Sequence, residues 1–302
     1  MPRANGSGGP DAALEPLRRA FDRHFARTLA RRCRAPGDLG RAIRYAALSP
    51  GKRLRPLLAL AACEAVGGAW RRALPAAVAV ECVHAFSLVH DDLPALDDDD
   101  VRRGRPTTHR KFGEATAILA GDALLAFAFE ELAQLAGQGV PPRRVVEAIV
   151  RLAYASGGER LVAGQALDLA AEGRRVTARQ VAIIHARKTG ALMGAALALG
   201  GIAGGAPIGV ATRLQLAGVL LGEAFQIQDD LLNQGSTTRR LGKRAGSDAA
   251  RGKATYPRAA GESASHLAVR ARLALVEAVV RAHCRRPRRL LTILAAVQER
   301  ER

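Results

Sequence analysis

HAFSLVHDDLPALDDDDVRRGRPT occupies residues 84–107, and its six aspartates, Asp91, Asp92 and Asp97 to Asp100, crowd into ten residues at the end of an apolar stretch. Carboxylates packed so tightly repel one another unless positive charge sits among them. Hard divalent cations held through oxygen meet that need, and Mg2+ in particular is shared between carboxylates and substrate phosphates. A solvated acidic loop would carry the same residues, but a second acidic pair argues against it. FQIQDDLLN, residues 225–233, sets Asp229 and Asp230 in another apolar run, with Asp229 and Asn233 four apart on one face and Gln226 one turn before. Aspartates inside such a run are costly as mere structure. Two apolar helices that each present carboxylates inward form a metal site between them, as helical bundles do. An EF-hand is excluded, because its aspartate spacing and required glycine are absent.

Helical periodicity extends in both directions from these segments. Helices are expected near 11–31, 38–48, 54–66, 73–90, 114–136, 142–156, 158–171, 178–200, 208–232, 262–284 and 287–299. Pro36-Gly37, Ser49-Pro50-Gly51, Gly67-Gly68, Gly173 and Gly204 to Pro207 supply stop signals between them. Aromatics make up only 4% of a chain that is 48% hydrophobic, and the alanine and leucine that dominate favour helix over sheet. No segment reads as a strand, and no low-complexity linker divides the 302 residues. The expectation is all-α: one domain over 11–302, behind a polar tail at 1–10. The segment from Asn233 to Thr255, rich in Gly, Arg, Ser and Thr, reads as a loop.

A net charge of +18 raises the question of a polyanionic partner. The excess is almost entirely arginine, spread along the chain without a basic-aromatic module, which argues against nucleic acid. Lys52, Lys111, Lys188, Lys243 and Lys253 are the only lysines. Cys33, Cys63, Cys82 and Cys284 are far apart with no CxxC pair, which argues against both a disulfide framework and a zinc knuckle. Ala191 to Thr212 is uncharged and long enough to cross a bilayer, but it is mostly Ala and Gly with Pro207 inside it, so it reads as a packed internal helix and a turn. The amino terminus lacks the apolar core of a signal peptide. A cytoplasmic protein that does not span a membrane is expected.

Basic residues suited to diphosphate stand around the acids. Gly51-Lys52-Arg53-Leu54-Arg55-Pro56 puts Lys52 and Arg55 three apart at a helix start, and Arg102 and Arg103 follow the first acidic run. Lys188-Thr189-Gly190 interrupts an apolar helix, and Lys243 and Lys253 lie in the Gly-rich segment. Arginine grips phosphate with a fork of donors, and lysine adds a point charge.

Together these segments resemble the trans-isoprenyl diphosphate synthases, most closely the bacterial farnesyl diphosphate synthases. The likeness runs through GKRLRP at 51–56, residues 84–107, AILAGDALL at 117–125, GQALDL at 164–169, KTG at 188–190, FQIQDD at 225–230 and GKATYP at 252–257, in family order. It implies a helical bundle around a central active-site cavity and a homodimer. It also implies a head-to-tail prenyltransferase that condenses isopentenyl diphosphate with dimethylallyl or geranyl diphosphate. By the same resemblance, Asp91 and Asp97, with Asp92 in support, would hold two Mg2+ ions, and Asp229 a third. Arg102, Lys188 and Lys243 would grip the allylic diphosphate, and Lys253 is similar to a lysine of the closing loop. Lys52, Arg55, His84 and Arg103 would hold isopentenyl diphosphate, and Thr189 and Gln226 would stabilise the allylic cation.

Phe86 and Ser87, five and four residues before Asp91, are the expected product-length residues. An aromatic at the position of Phe86 resembles a floor that stops elongation at fifteen carbons, and a geranylgeranyl product is the near alternative. One departure concerns the second motif, which ends in Asn233 where the family has a third aspartate. Asparagine keeps an oxygen but loses the charge, so weaker affinity for the third ion is expected, and a weakly active or non-catalytic relative is a rival reading. A terpene cyclase, which needs no isopentenyl site, is disfavoured by GKRLRP and RRGRPT.

Overall fold

The computed structural model describes residues 10–234 and 252–299. The chain begins with α1 (Pro10–Arg32), α2 (Gly37–Ala47) and α3 (Leu54–Ala65), and a 3-10 turn at Trp70–Ala73 leads into α4 (Leu74–Asp91). A hairpin of β1 (Val101–Arg102) and β2 (Arg105–Pro106) precedes α5 (Thr108–Phe112), α6 (Glu114–Ala133), α7 (Pro142–Ser156), α8 (Leu161–Ala171) and α9 (Ala178–His185). A π-turn at Ala186–Gly190 runs directly into α10 (Ala191–Ala203), followed by α11 (Ile208–Gln234). The last described elements are α12 (Tyr256–Ala260), α13 (Glu262–His283) and α14 (Arg288–Gln298).

The all-α expectation holds, and the expected helices fall within a few residues of those observed. The expectation of no strand is corrected at one place. Val101 pairs with Pro106 and Arg102 with Arg105, antiparallel, around Arg103 and Gly104, whose φ angles are 55° and 73°. Two consecutive positive φ angles are what a tight hairpin turn demands, and glycine supplies only one of them without strain. Four paired residues are too few to leave a period-2 pattern. The expected 178–200 helix is continuous but widened by the π-turn at the Lys-Thr-Gly interruption. The tail at 1–10 lies outside the described residues except for Pro10, which opens α1.

All thirteen residues of α10 are buried, and the helix packs on α3, α4, α7 and α11. Its composition permits this. A Cβ on Gly218 would stand 2.6 Å from Gly194 Cα, and one on Gly200 would collide with the Ala59 carbonyl. The stretch flagged for its apolar length is therefore this internal helix plus a turn. Two other helical stretches are long and apolar enough to cross a bilayer, Trp70–Asp91 and Ile208–Asn233. Here the first packs against α3 and α6, and the second against α10 and α13.

One buried ion pair fixes the entrance of α3. Arg53, in the left-handed region at φ 52°, donates from its guanidinium to Glu81 of α4 at 2.6 Å and to Asp22 of α1 at 2.9 Å. Arg53 and Glu81 are both nearly inaccessible, so each charge depends on the other.

Candidate active site

The first acidic segment folds back on the helix that delivers it. The Asp97 N–H donates to the Asp91 carbonyl at 2.8 Å, and the Asp98 N–H to Leu93 at 3.1 Å, with Asp98 at φ 49°. This loop sets Asp97 beside Asp91. Asp91 is half-buried, and its carboxyl is pushed up to about 6. Burial is the largest cause; Lys188 and Arg102 pull it back, while Asp97 and Asp92 push it further up. The hairpin then returns Arg102, whose Nε donates to Asp92 Oδ1 at 2.6 Å, with Asp99 Oδ2 at 3.4 Å from the same guanidinium.

On the other side of Arg102 the cations crowd together. His84 is held well below its ordinary value, first by burial and then by Arg55, Arg103, Arg102 and Arg53. Arg55 is lowered to about 10 by burial, with Arg103 adding to the effect and Glu81 opposing it. Its Nε is buried without a hydrogen-bond partner. Arg103 donates to the Pro50 carbonyl at 2.6 Å, so GKRLRP and the hairpin meet in space. Arg53 and Arg102 already have carboxylate partners, so a negative charge bound here would chiefly relieve Arg55 and Arg103.

Across from the acids stand α8, the π-turn and α11. Lys188 Nζ donates to Asp168 Oδ2 at 2.6 Å. Burial pulls its value down, but Asp168, Asp91 and Asp97 outweigh that, and the ammonium is held above its ordinary range. Lys188 thus lies within electrostatic reach of the first acidic segment. Thr189 Oγ1 donates to Gln226 Oε1 at 3.1 Å, joining the π-turn to α11 one turn before Asp229. Lys253 Nζ stands 3.5 Å from Asp97 Oδ1. π-turns inside helices recur at functional sites, and here the turn carries Lys188 and Thr189.

The structure therefore brings together Asp91, Asp97, Lys188 and Lys253 on one side, and His84, Arg55, Arg102 and Arg103 on the other. Thr189 and Gln226 are joined directly, and Asp229 follows them on α11. Asp92, expected beside the metal, is 3% exposed and paired with Arg102. Lys52 is exposed ahead of α3. Lys243 lies outside the described residues. Phe86 is buried and sits edge-on to His90 at 4.9 Å between centroids, while Ser87 donates back to the His84 carbonyl at 2.9 Å.

Sequence reasoning missed three participants. Asp168 neutralises Lys188, and its lone charge on an otherwise apolar α8 was a readable signal. Gln165, one turn earlier on the same face, has both amide atoms buried and unpartnered, which leaves it able to serve a ligand. Asp230 is 6% exposed and accepts the Tyr256 N–H at 2.8 Å.

Among the described residues no three carboxylate, imidazole or thiol side chains form a ready metal cage. That agrees with the donor chemistry of Mg2+, which takes one or two carboxylates and completes its octahedron with phosphate and water. A half-buried Asp91 held at about 6 beside Asp97 is a donor set that a cation would relieve, so the residues fit the ion.

A family model described as Polyprenyl synthetase matches residues 37–279. Over 232 residues the chain is 48% identical to the heterodimeric geranylgeranyl pyrophosphate synthase large subunit 1, chloroplastic, of Arabidopsis thaliana, covering 76% of this chain and 62% of that protein. The chain thus spans less than two thirds of that relative's length. Among solved structures, an FPP/GFPP synthase from Zymomonas mobilis matches with a TM-score of 0.82 at 34% identity, covering 94% of this chain and 98% of that one. A geranyltransferase from Helicobacter pylori complexed with magnesium and isoprenyl diphosphate matches with a TM-score of 0.80 at 27% identity, covering 97% of each.

Proposed function

The chain belongs to the polyprenyl synthetase family, and from that premise and the geometry of the site we propose that it is a head-to-tail prenyltransferase. The observation that carries the reading is the cluster of Arg55 and Arg103 beside a His84 held well below its ordinary value, next to a second, lysine-lined group at Asp91 and Asp97. Two neighbouring anion sites suit two diphosphates. Arg55, His84 and Arg103, with Lys52 assigned there by resemblance, would hold isopentenyl diphosphate. Lys188, Lys253 and Arg102 would hold the allylic diphosphate, with Lys243 assigned there only by resemblance.

Asp91 and Asp97 would hold Mg2+, and Asp229 a further ion, three in all. When bound, the metal supplies neutralising charge on the departing diphosphate. The allylic C–O bond breaks with its electron pair on the diphosphate, the isopentenyl double bond forms the new C–C bond, and a proton leaves to the diphosphate. The Thr189 hydroxyl hydrogen is committed to Gln226, so its oxygen presents lone pairs to the developing cation. Lys188, held protonated by Asp168, and the arginines steady the leaving charge without reorganising.

The product proposed is farnesyl diphosphate. Phe86, bulky, buried and pinned against His90, supports a floor at fifteen carbons. A second reading, a twenty-carbon product, is favoured by two observations. Ser87, about 40° from Asp91 around the helix, lies nearer that face than Phe86 at about 140°. The relative in Arabidopsis thaliana is named a geranylgeranyl pyrophosphate synthase.

A homodimer in the cytoplasm completes the proposal. The exposed apolar positions Ile118 and Leu119 of α6, with Val146, Val150 and Tyr154 in register along α7, offer a face a second copy would cover. Incubation with Mg2+, dimethylallyl diphosphate and isopentenyl diphosphate, with product length read by mass spectrometry, tests the core claim. No elongation at any Mg2+ concentration refutes the enzyme reading. Fifteen carbons that lengthen in Phe86→Ala support the floor; twenty carbons in the unsubstituted protein support the second reading.

A further inference from the structure

Two adjacent aspartates on α11 leave the helix in different directions. At about 100° per residue, Asp229 lies about 60° to one side of Gln226 and Asp230 about 40° to the other, so the pair straddles the face that meets Thr189. On its own flank Asp230 is nearly inaccessible. Its Oδ2 accepts the Tyr256 N–H at 2.8 Å and stands 3.4 Å from Nε2 of His185, the last residue of α9. A carboxylate so buried must be held by partners, and these partners belong to the segment entering α12 and to α9.

That segment, Gly252 to Tyr256, is fastened at both ends. The Gly252 carbonyl accepts the Gly173 N–H at 3.1 Å, just beyond α8. In the middle, Ala254 packs with Ala171, Val181 and Ile184. Between the fastenings the strap carries one charged side chain, Lys253, which reaches across to within 3.5 Å of Asp97. Displacement of Tyr256 moves the backbone that aims this amine.

We propose that Asp230 is a positioning residue: through the Tyr256 N–H it holds the Gly252–Tyr256 strap so that Lys253 reaches the first acidic segment. The second acidic motif then divides its labour. Asp229 serves the ligand, and Asp230 serves the strap. The proposal rests on the prenyltransferase reading for its catalytic consequence but not for its structural core.

The test compares Asp230→Leu, which removes the acceptor, with Asp230→Asn, which keeps an acceptor oxygen, and with Asp229→Asn. Hydrogen exchange of peptides spanning 252–258 reads the strap directly, without substrate or metal. Asp230→Leu should speed exchange there by about tenfold or more, the signature of a lost local anchor, while Asp230→Asn and Asp229→Asn keep protection. In steady state, Asp230→Leu should lower kcat by about 10²-fold, the scale of a misplaced catalytic group, with KM for isopentenyl diphosphate unchanged, and Asp230→Asn should restore most of it. On a Lys253→Met background, Asp230→Leu should add little further loss, because the two act in series.

Unchanged exchange in Asp230→Leu overturns the proposal. So does an Asp230→Asn variant as inactive as Asp229→Asn, since charge rather than the anchor would then matter. Additive losses with Lys253→Met also overturn it. Should Asp230→Leu fail to fold, Asp230→Ala takes its place in every arm. A chain that makes no product at all would refute the functional reading, while the exchange data would still decide the role of Asp230.

Discussion

Arg102 Nε lies 2.6 Å from Asp92 Oδ1, so a base expected to grip diphosphate and an acid expected to support metal also hold each other. Asp92 is 5% exposed in its side chain and Arg102 18%, which makes this a buried pair. Removing one partner strands the other charge. Arg102→Met should cost about 3–5 kcal/mol of stability, measured by urea denaturation. The double variant Arg102→Met/Asp92→Leu should recover most of that loss and none of the activity. A double variant as unstable as the single one contradicts the pairing argument.

His84 gives a pH dependence whose sign is fixed by its neighbours. Its folded value lies well below the ordinary 6.5, so between the two values the unfolded chain binds more protons. Stability contributed by the neutral imidazole is therefore fully present above about 6.5 and declines as pH falls below it. His84→Gln should flatten the slope of unfolding free energy between pH 5 and about 6.5 and leave it unchanged at pH 8. Inorganic diphosphate, by relieving the arginine cluster, should raise the His84 value and stabilise the protein more at acidic than at alkaline pH. An imidazole resonance that titrates near 6.5 in the free protein by NMR would defeat both expectations.

Asp91 has the opposite sign. Raised from 3.8 to about 6, its carboxyl binds a proton more tightly in the folded chain. That contribution is present below 3.8 and is lost as pH rises through about 6, so at pH 7.5 the ionised group strains the metal-free fold. Asp91→Asn should stabilise the metal-free protein at pH 7.5 by on the order of 1–3 kcal/mol and have little effect at pH 4. Elongation should be severely reduced in the same variant. A variant that is both less stable at pH 7.5 and fully active would contradict the assignment on both counts.

The helices were legible because long apolar periodicity leaves few alternatives, and the two acidic motifs were legible because charge in such a setting demands chemistry. What the sequence hid was pairing. Glu81 inside AAVAVECVHAF announces that some cation must come to it, but the choice of Arg53 rather than Lys52 or Arg55 depends on a left-handed residue at the mouth of α3. Likewise, Asp92 and Asp230 look equivalent to their neighbours Asp91 and Asp229 in one dimension. They are separated only by the direction each leaves its helix and by which loop returns to meet it. The Lys-Thr-Gly interruption was visible, while the close contact of α8 with its backbone is one that no local pattern reports.

That contact yields a prediction at Gly164. A Cβ there would stand 2.6 Å from Lys188 Cα and closer still to Lys188 N, so α8 rests on the backbone of the π-turn with no room for a methyl group. Gly164→Ala would ordinarily favour a helix by roughly 0.5–1 kcal/mol. Here overpacking should reverse the sign, destabilising the protein by about 1–3 kcal/mol. Because the displaced backbone carries Lys188 and Thr189, kcat should fall more than stability alone explains, by about 10-fold or more at a temperature where the variant is fully folded. Ala163→Gly, which opens the neighbouring position without touching the π-turn, should lose some stability and keep its kcat. Equal kcat in the two variants would mean that the fit of α8 against the π-turn does not set the position of Lys188.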